Sequence, residues 1–335
     1  MIRPQDLLCP RPAGLYCPPG DFYIDPTRPV DRAVITHGHA DHARAGHGRV
    51  LATPETLAIM ETRYGMEFAG STQPLPYGET ATRDGVGVTL TPAGHVLGSA
   101  QATVRWQGLT ITVSGDYKRR RDPTCPPFEP GPCDVFVTEA TFALPVFRHP
   151  PDSEEIAGLL RSVAQFPDRC HVVGAYSLGK AQRVIALLRE AGWDAPILTH
   201  GALERLDALY GRFGVDLGPL SPATGVAKAA LAGAIVIAPP SALTTAWARR
   251  FPDPVDAFAS GWMRIRARAR QQGIELPLII SDHADWDELT RTIEEIRPAE
   301  VWITHGREEA LARWCDLAGI PARALALVGY EDEGD

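Results

Sequence analysis

At 335 residues, with 44% hydrophobic and 22% charged side chains, the chain has the composition of an ordinary folded protein with room for two domains. No apolar run nears the roughly 18 to 20 residues that span a bilayer. The opening Met-Ile-Arg-Pro-Gln-Asp has no apolar signal core, so no membrane role and a cytoplasmic location are expected. A net charge of −8 speaks against a uniformly basic, polyanion-binding surface. Local clusters at Lys118–Arg121, Arg249–Arg250 and Arg264–Arg270 still leave docking of a nucleic acid open. Six cysteines include no C-x-x-C pair; Cys9/Cys17 and Cys125/Cys133 are weighed as metal ligands and set aside as reduced loop thiols.

Up to Pro29 the chain is rich in Pro and Gly and reads as loops and short strands. Beyond it, short apolar β-branched runs stop at polar clusters. Ala33–Thr36 ends at His37, Ile111–Val113 at Gly115-Asp116, and Val135–Thr138 at Glu139. Leu278–Ile280 ends at Asp282-His283, and Val301–Thr304 at His305. Such runs suit buried central strands, so every polar cluster is expected at a strand's carboxyl end, on one edge of one sheet. Helices are expected over Pro54 to about Tyr64, from a Ser153 cap with Glu154 and Glu155 behind it, and over Leu178–Ala191. Further helices are expected over Leu203–Tyr210, Trp262–Gln272, Trp286–Ile296 and Glu308–Leu317, the penultimate one capped by Asp285. Residues 151–275 alternate strands (His171–Gly174, Ile197–Thr199, Ala234–Ala238) with helices and interrupt the series of polar clusters. They read as an inserted α/β domain between a first part, 1–150, and a remainder, 276–335.

His37-Gly38-His39-Ala40-Asp41-His42 is the strongest signal. Three imidazoles and a carboxylate within six residues after a strand can face two adjacent cations. His37 and His39 turn to one side, while Asp41 and His42 follow the turn to the other. Such donors suit Zn²⁺, with Mn²⁺ or Fe²⁺ as alternatives. His95 in Ala-Gly-His-Val-Leu-Gly-Ser-Ala, Asp116 in Ser-Gly-Asp and His305 in Thr-His-Gly supply further donors at strand ends. Alone, each would be a structural residue; beside the first cluster they read as ligands.

These motifs together resemble the metallo-β-lactamase superfamily. Glu-Ala-Thr at 139, Ser-Asp-His-Ala-Asp at 281 and Thr-His-Gly at 304 are similar to motifs A, B and C of its β-CASP nucleic-acid-processing branch. The stretch Gly14-Leu15-Tyr16-Cys17-Pro18-Pro19-Gly20-Asp21-Phe22-Tyr23-Ile24-Asp25-Pro26 is similar to the bacterial ligase-associated DNA exonucleases. The resemblance implies an αββα sandwich carrying a β-CASP-type α/β insertion and two divalent metal ions. It implies one ion on His37, His39 and His95, a second on Asp41, His42 and His305, and Asp116 bridging both. Asp41 counts as a catalytic residue besides being a ligand.

His283 is the candidate proton donor to the leaving oxygen, and the resemblance places Glu139 to orient it. Ser177, Gly179 and Lys180 open a helix after a strand and could hold a phosphate. Arg264/Arg268 and Arg266/Arg270, each four apart, could follow a strand's backbone from a helix face. No aromatic stacking platform is legible. The expected function is a DNA exonuclease acting on single strands or exposed ends, in repair beside a ligase and a helicase. RNA processing is the rival, since the resemblance associates His at position 305 with RNA-acting members. A small-molecule hydrolase would not need motifs A to C, and a non-catalytic subunit would be expected to lack ligands.

Overall fold

The apolar runs form strands, and most are covered on both faces. In a computed structural model that describes residues 2–325, the chain opens with six strands. They are β1 (Cys9–Arg11), β2 (Gly14–Cys17), β3 (Phe22–Ile24), β4 (Arg32–Val34), β5 (His47–Ala52) and β6 (Ala69–Pro74). Five more follow: β7 (Thr80–Arg83), β8 (Val86–Pro92), β9 (Ala100–Trp106), β10 (Leu109–Val113) and β11 (Val135–Ala140). Then come β12 (His171–Gly174), β13 (Ile197–Thr199), β14 (Leu220–Pro222), β15 (Ile235–Ala238), β16 (Val255–Ala259) and β17 (Leu276–Leu278). The last are β18 (Glu300–Gly306) and β19 (Ala322–Ala324). The chain divides into two units, one running up to Arg148 and resuming at His283, the other His149–Asp282.

The first unit is a four-layer sandwich. Strands β1 to β6 form one sheet in chain order, and the second runs β19-β18-β11-β10-β9-β8-β7. Period-two alternation decides which side chains meet. Val135, Val137 and Trp302 point into the core shared with Leu15, Ile24 and Val34 of the first sheet. Their neighbours Phe136, Val301 and Ile303 point outward, against Leu289, Ile293 and Leu311 of helices Trp286–Ile296 and Glu308–Leu317. Helix Pro54–Tyr64 covers the other outer face, setting Leu57 and Met60 on Ile35 and Val50. Strands buried on both faces read as continuous apolar runs, which is why they were legible.

The second unit holds a six-stranded, all-parallel sheet in the order β14-β13-β15-β12-β16-β17. Helix Asp152–Gln165 leads into β12, and helices Lys180–Glu190 and Glu204–Arg212 connect β12 to β13 and β13 to β14. All six cysteines are free thiols.

Several local expectations change. Ser153 does not cap: Pro151 stands at the N-cap and the helix starts at Asp152. The polar clusters do not share one sheet, because β17 belongs to the second unit's sheet while the others end strands of the sandwich. The expected helix over Trp262–Gln272 is broken into a 3-10 turn, Gly261–Arg264, and a short helix, Arg266–Gln271, with Ile265 extended between them. Arg264 and Arg268 therefore do not share a helix face. Asp285 does cap, accepting from the Glu288 amide at 3.0 Å while Glu288 accepts from Asp285 at 3.2 Å.

One buried acid in the second unit gives a stability prediction. Burial pushes Asp207 up to about 6, although Gln182 donates to it at 2.7 Å. A carboxyl that is a weaker acid when folded keeps its proton while the unfolded chain releases it. Stability therefore falls as pH rises from about 4 to 6 and stays lowered above that. Asp207→Asn is expected to gain about 1–3 kcal/mol on the wild type at pH 7.5 and nothing at pH 3.5. Urea midpoints at the two pH values check this, and equal shifts at both would contradict it.

Candidate metal centre and active site

The site is built from loops that leave the carboxyl ends of β3, β4, β8 and β10, and from the last residues of β11 and β18. Strands β3 and β4 run parallel, as do β10, β11 and β18. Strand β8 pairs antiparallel with β9, and β9 antiparallel with β10, so β8 points the same way as β10. Donors far apart in sequence thus reach one edge of the sandwich.

Asp116 is the hub. Its Oδ2 lies 3.4 Å from His37 Nε2, 3.4 Å from His42 Nε2 and 3.8 Å from His95 Nε2. His95 Nε2 and His39 Nδ1 face each other at 3.0 Å, and Asp41 Oδ2 is 3.4 Å from His42 Nε2. The His305 ring stacks beside His42, with centroids 5.3 Å apart. The structure therefore brings together all seven residues picked as ligands from the sequence. Donor atoms of His37, His39, His95 and Asp116 all lie within 4.8 Å of one another.

Local chemistry fixes each donor. Gly115 adopts φ +56°, and a side chain there would collide with Thr36, so the turn into Asp116 needs glycine. Ser99 Oγ accepts from the amides of His95 and Val96 at 3.0 and 3.1 Å. The Gly98 carbonyl accepts from Thr53 and Thr56 at 2.7 and 3.0 Å, tying the His95 turn to the start of helix Pro54–Tyr64. His305 sits at φ +56°, a conformation non-glycine residues rarely adopt.

The sequence reading missed Asp25. It is buried, accepts from Thr36 N at 2.8 Å and Thr36 Oγ1 at 2.6 Å, and holds His42 Nδ1 at 2.8 Å. That grip turns His42 Nε2 toward Asp116, the usual service of a carboxylate behind a ligating imidazole. A signal was present: Asp25 ends β3 just as the other polar residues end their strands.

The protonation pattern suits a cation. Burial, then His37, His283 and His39, hold His95 well below the usual imidazole range, and burial followed by His42 pushes His305 to about 4. Burial works against charge on Asp116, yet His42, His283 and His37 outweigh it and keep the carboxylate well below its ordinary value. Burial likewise opposes a proton on His42, but Asp41, Asp116 and Asp25 hold its pKa well above normal. Neutral imidazoles and ionised acids are the ligating forms. His95, His305 and Asp116 already hold theirs, whereas His42, protonated by its carboxylate neighbours, gives up that proton when a cation takes its place. Buried His37 Nε2 and Asp41 Oδ1 have no hydrogen-bond partner among the described residues, which a coordinated ion would satisfy. The donor set fits a divalent metal.

Beside this cluster, His283 Nδ1 lies 2.9 Å from Glu139 Oε2, and the His283 and His95 rings are 4.8 Å apart. Glu139 is buried, and its Oε1 accepts from the Tyr117 amide at 2.8 Å. Other picks have structural neighbours. Lys180 is fully buried, with Nζ 3.4 Å from Asp282, so it does not stand open to a phosphate as expected. Arg183, one turn on, pairs with Asp152 and donates to the Ser281 carbonyl. Ser177 is half-buried, and Gly179 donates its amide to Gln182 at 2.9 Å. The basic run at 118–121 is largely engaged: Arg119 bonds Thr292 and Glu295, and Arg120 bonds Asp285.

Residues 274–325 match a family described as "RMMBL: Zn-dependent metallo-hydrolase RNA specificity domain". A "Probable DNA ligase" of Opitutus terrae is 30% identical over 324 residues, covering 93% of this chain and 30% of that protein. "Endoribonuclease ysh1" of Aspergillus fumigatus is 30% identical over 219 residues, 54% of this chain and 24% of its own length. "Cleavage and polyadenylation specificity factor subunit 3" of Dictyostelium discoideum is 28% identical over 219 residues, 54% of this chain and 27% of its own. The chain thus spans between about a quarter and a third of these relatives. A crystal structure of a protein of unknown function from Enterococcus faecalis superposes with a TM-score of 0.57 at 13% identity, covering 81% of this chain and 74% of the other. That likeness concerns the fold alone. Sandwich, motifs and relatives define a member of the metallo-β-lactamase superfamily. Within it, the chain belongs to the β-CASP branch, whose hallmark is the inserted α/β unit. No helix among the described residues is long and apolar enough to cross a membrane.

Proposed function

We propose that the chain is a metal-dependent phosphodiesterase that shortens DNA from single-stranded or otherwise exposed ends. The observation that carries this reading is the convergence of three imidazole nitrogens within 3.8 Å of Asp116 Oδ2, with the His283–Glu139 pair alongside. His37, His39 and His95 would hold one ion, Asp41, His42 and His305 a second, and Asp116 both; zinc suits these donors and manganese is the alternative. Two such ions, when bound, supply a hydroxide nucleophile at neutral pH and neutralise charge on the phosphate.

The chain's own groups do the rest. His283 donates a proton to the leaving oxygen through the ring nitrogen that Glu139 does not hold. Glu139, pinned by the Tyr117 amide, keeps the ring oriented and favours its charged form. Asp25 keeps His42 in its ligating orientation.

A partnership with a ligase is supported by the relative that combines a similar stretch with a "DNA ligase" name. A second reading, RNA cleavage, is favoured by the description of the family matched at 274–325 and by the two eukaryotic relatives. End-labelled DNA and RNA oligonucleotides of one sequence, incubated after chelation and after Zn²⁺ or Mn²⁺ is restored, test both. Stepwise, metal-dependent shortening of DNA is expected; faster cutting of RNA would transfer the proposal to RNA. Intact oligonucleotides of both kinds with metal present would end it.

A further inference from the structure

Resting on the nucleic-acid reading above, we infer that the carboxyl edge of the inserted unit's parallel sheet is a stacking track for single-stranded nucleic acid, built on Trp247, Tyr176 and Trp262. All six strands of this sheet run the same way, so everything that follows them emerges on one edge. In open parallel α/β sheets that edge is where ligands bind. Trp262 follows β16 directly, its amide held by Ser260 Oγ at 3.2 Å. Tyr176 follows β12, its ring 6.5 Å from Phe258. Trp247 follows β15, and it meets the ring of His200, which follows β13, at 4.7 Å.

Each tryptophan carries a guanidinium. Arg268 lies over Trp262 at 4.0 Å and Arg250 over Trp247 at 5.3 Å. Arg250 also donates to Thr224 Oγ1 at 3.2 Å, just past β14. Trp247, Trp262 and Tyr176 all keep part of their surface open to solvent, and Arg249, Arg264 and Arg268 are exposed. An arginine stacked on an aromatic ring is a cation–π pair, and at such a pair one nucleotide finds a partner for its base and another for its phosphate. The two pairs lie in the segments that follow β15 and β16, the strands on either side of the β12 that Tyr176 follows.

The chemistry selects single strands. A duplex keeps its base faces stacked on one another and offers aromatic side chains only edges and backbone, whereas unstacked bases lie down on rings regardless of sequence. The exposed arginines would add a salt-dependent attraction for phosphates. This gives Arg264 and Arg268 a role that does not need a shared helix face. It also explains why no platform was legible: Tyr176, Trp247 and Trp262 lie on three separate loops.

The test uses the full chain stripped of metal, so that binding is measured without cleavage. Anisotropy titrations compare oligo(dT), an abasic strand of the same length and a blunt duplex. The wild type is expected to bind oligo(dT) at least about tenfold more tightly than the abasic strand, with quenching of tryptophan fluorescence. In Trp247→Ala/Trp262→Ala the two strands should bind alike, whereas Trp262→Phe should keep much of the difference. Arg249→Glu and Arg264→Glu, at exposed positions, should weaken all strands together and supply the reading if the tryptophan variants do not fold. Equal binding of dT and abasic strands by the wild type, or tighter binding of duplex, would overturn the inference. The functional reading fails differently, through intact oligonucleotides when metal is restored.

Discussion

Asp116→Asn is expected to lower oligonucleotide cleavage by roughly three orders of magnitude, about 4 kcal/mol of lost transition-state stabilisation, in a protein that still folds. The substitution keeps the side chain's volume and removes its charge. Asp116 Oδ2 reaches His37, His42 and His95 at 3.4, 3.4 and 3.8 Å, so this carboxylate faces donors from both halves of the cluster. An amide there would bring weaker ligation, or aim N–H bonds at imidazole nitrogens that must stay available. Both effects act on metal retention as well as on rate. Zinc content after dialysis is therefore expected to fall together with activity. A variant that held full zinc and more than about a tenth of wild-type activity would remove Asp116 from the centre of the mechanism.

His283→Ala is expected to lower cleavage of oligonucleotides by about 10²- to 10⁴-fold, the usual worth of a placed general acid. The diagnostic is the leaving group. An alkoxide leaving from a sugar needs a proton as it departs, whereas a p-nitrophenolate does not. With a p-nitrophenyl phosphodiester the His283→Ala defect should shrink to within about tenfold. Glu139→Gln should follow the same pattern with a smaller loss, because it keeps a hydrogen bond to Nδ1 but surrenders the charge that favours the imidazolium. Equal losses on both substrates would mean that His283 supports the metal cluster and donates no proton.

The sandwich was legible because β10, β11 and β18 are covered on both faces and stand out as unbroken apolar runs. The ligand set was legible for a related reason: a polar residue directly after such a run has left the core and must face either water or a ligand. Asp25 obeys the same rule but is hidden because β3, Phe22-Tyr23-Ile24, sits in the Pro- and Gly-rich opening stretch that reads as loops. Lys180 failed for the opposite reason. A basic residue at a helix start looks solvated in one dimension, and nothing local announces that Asp282, about a hundred positions on, will bury it. The break at Ile265 was hidden because Arg and Ala on either side have high helix propensity, and the cap that Ser260 offers to Trp262 starts a tighter turn first.

One hydrogen bond has a consequence for how accurately the reacting groups are spaced. The Tyr117 amide that holds Glu139 belongs to the residue next to Asp116, just past the end of β10, while Glu139 is the penultimate residue of the neighbouring β11. The two strands are in register from Ile111↔Val135 to Val113↔Val137. The gauge between the cation-holding and proton-donating halves is therefore the interstrand repeat of a sheet, about 4.8 Å, which neither temperature nor loop motion readily stretches. His283, though it arrives on a loop, inherits the sheet's rigidity through Glu139.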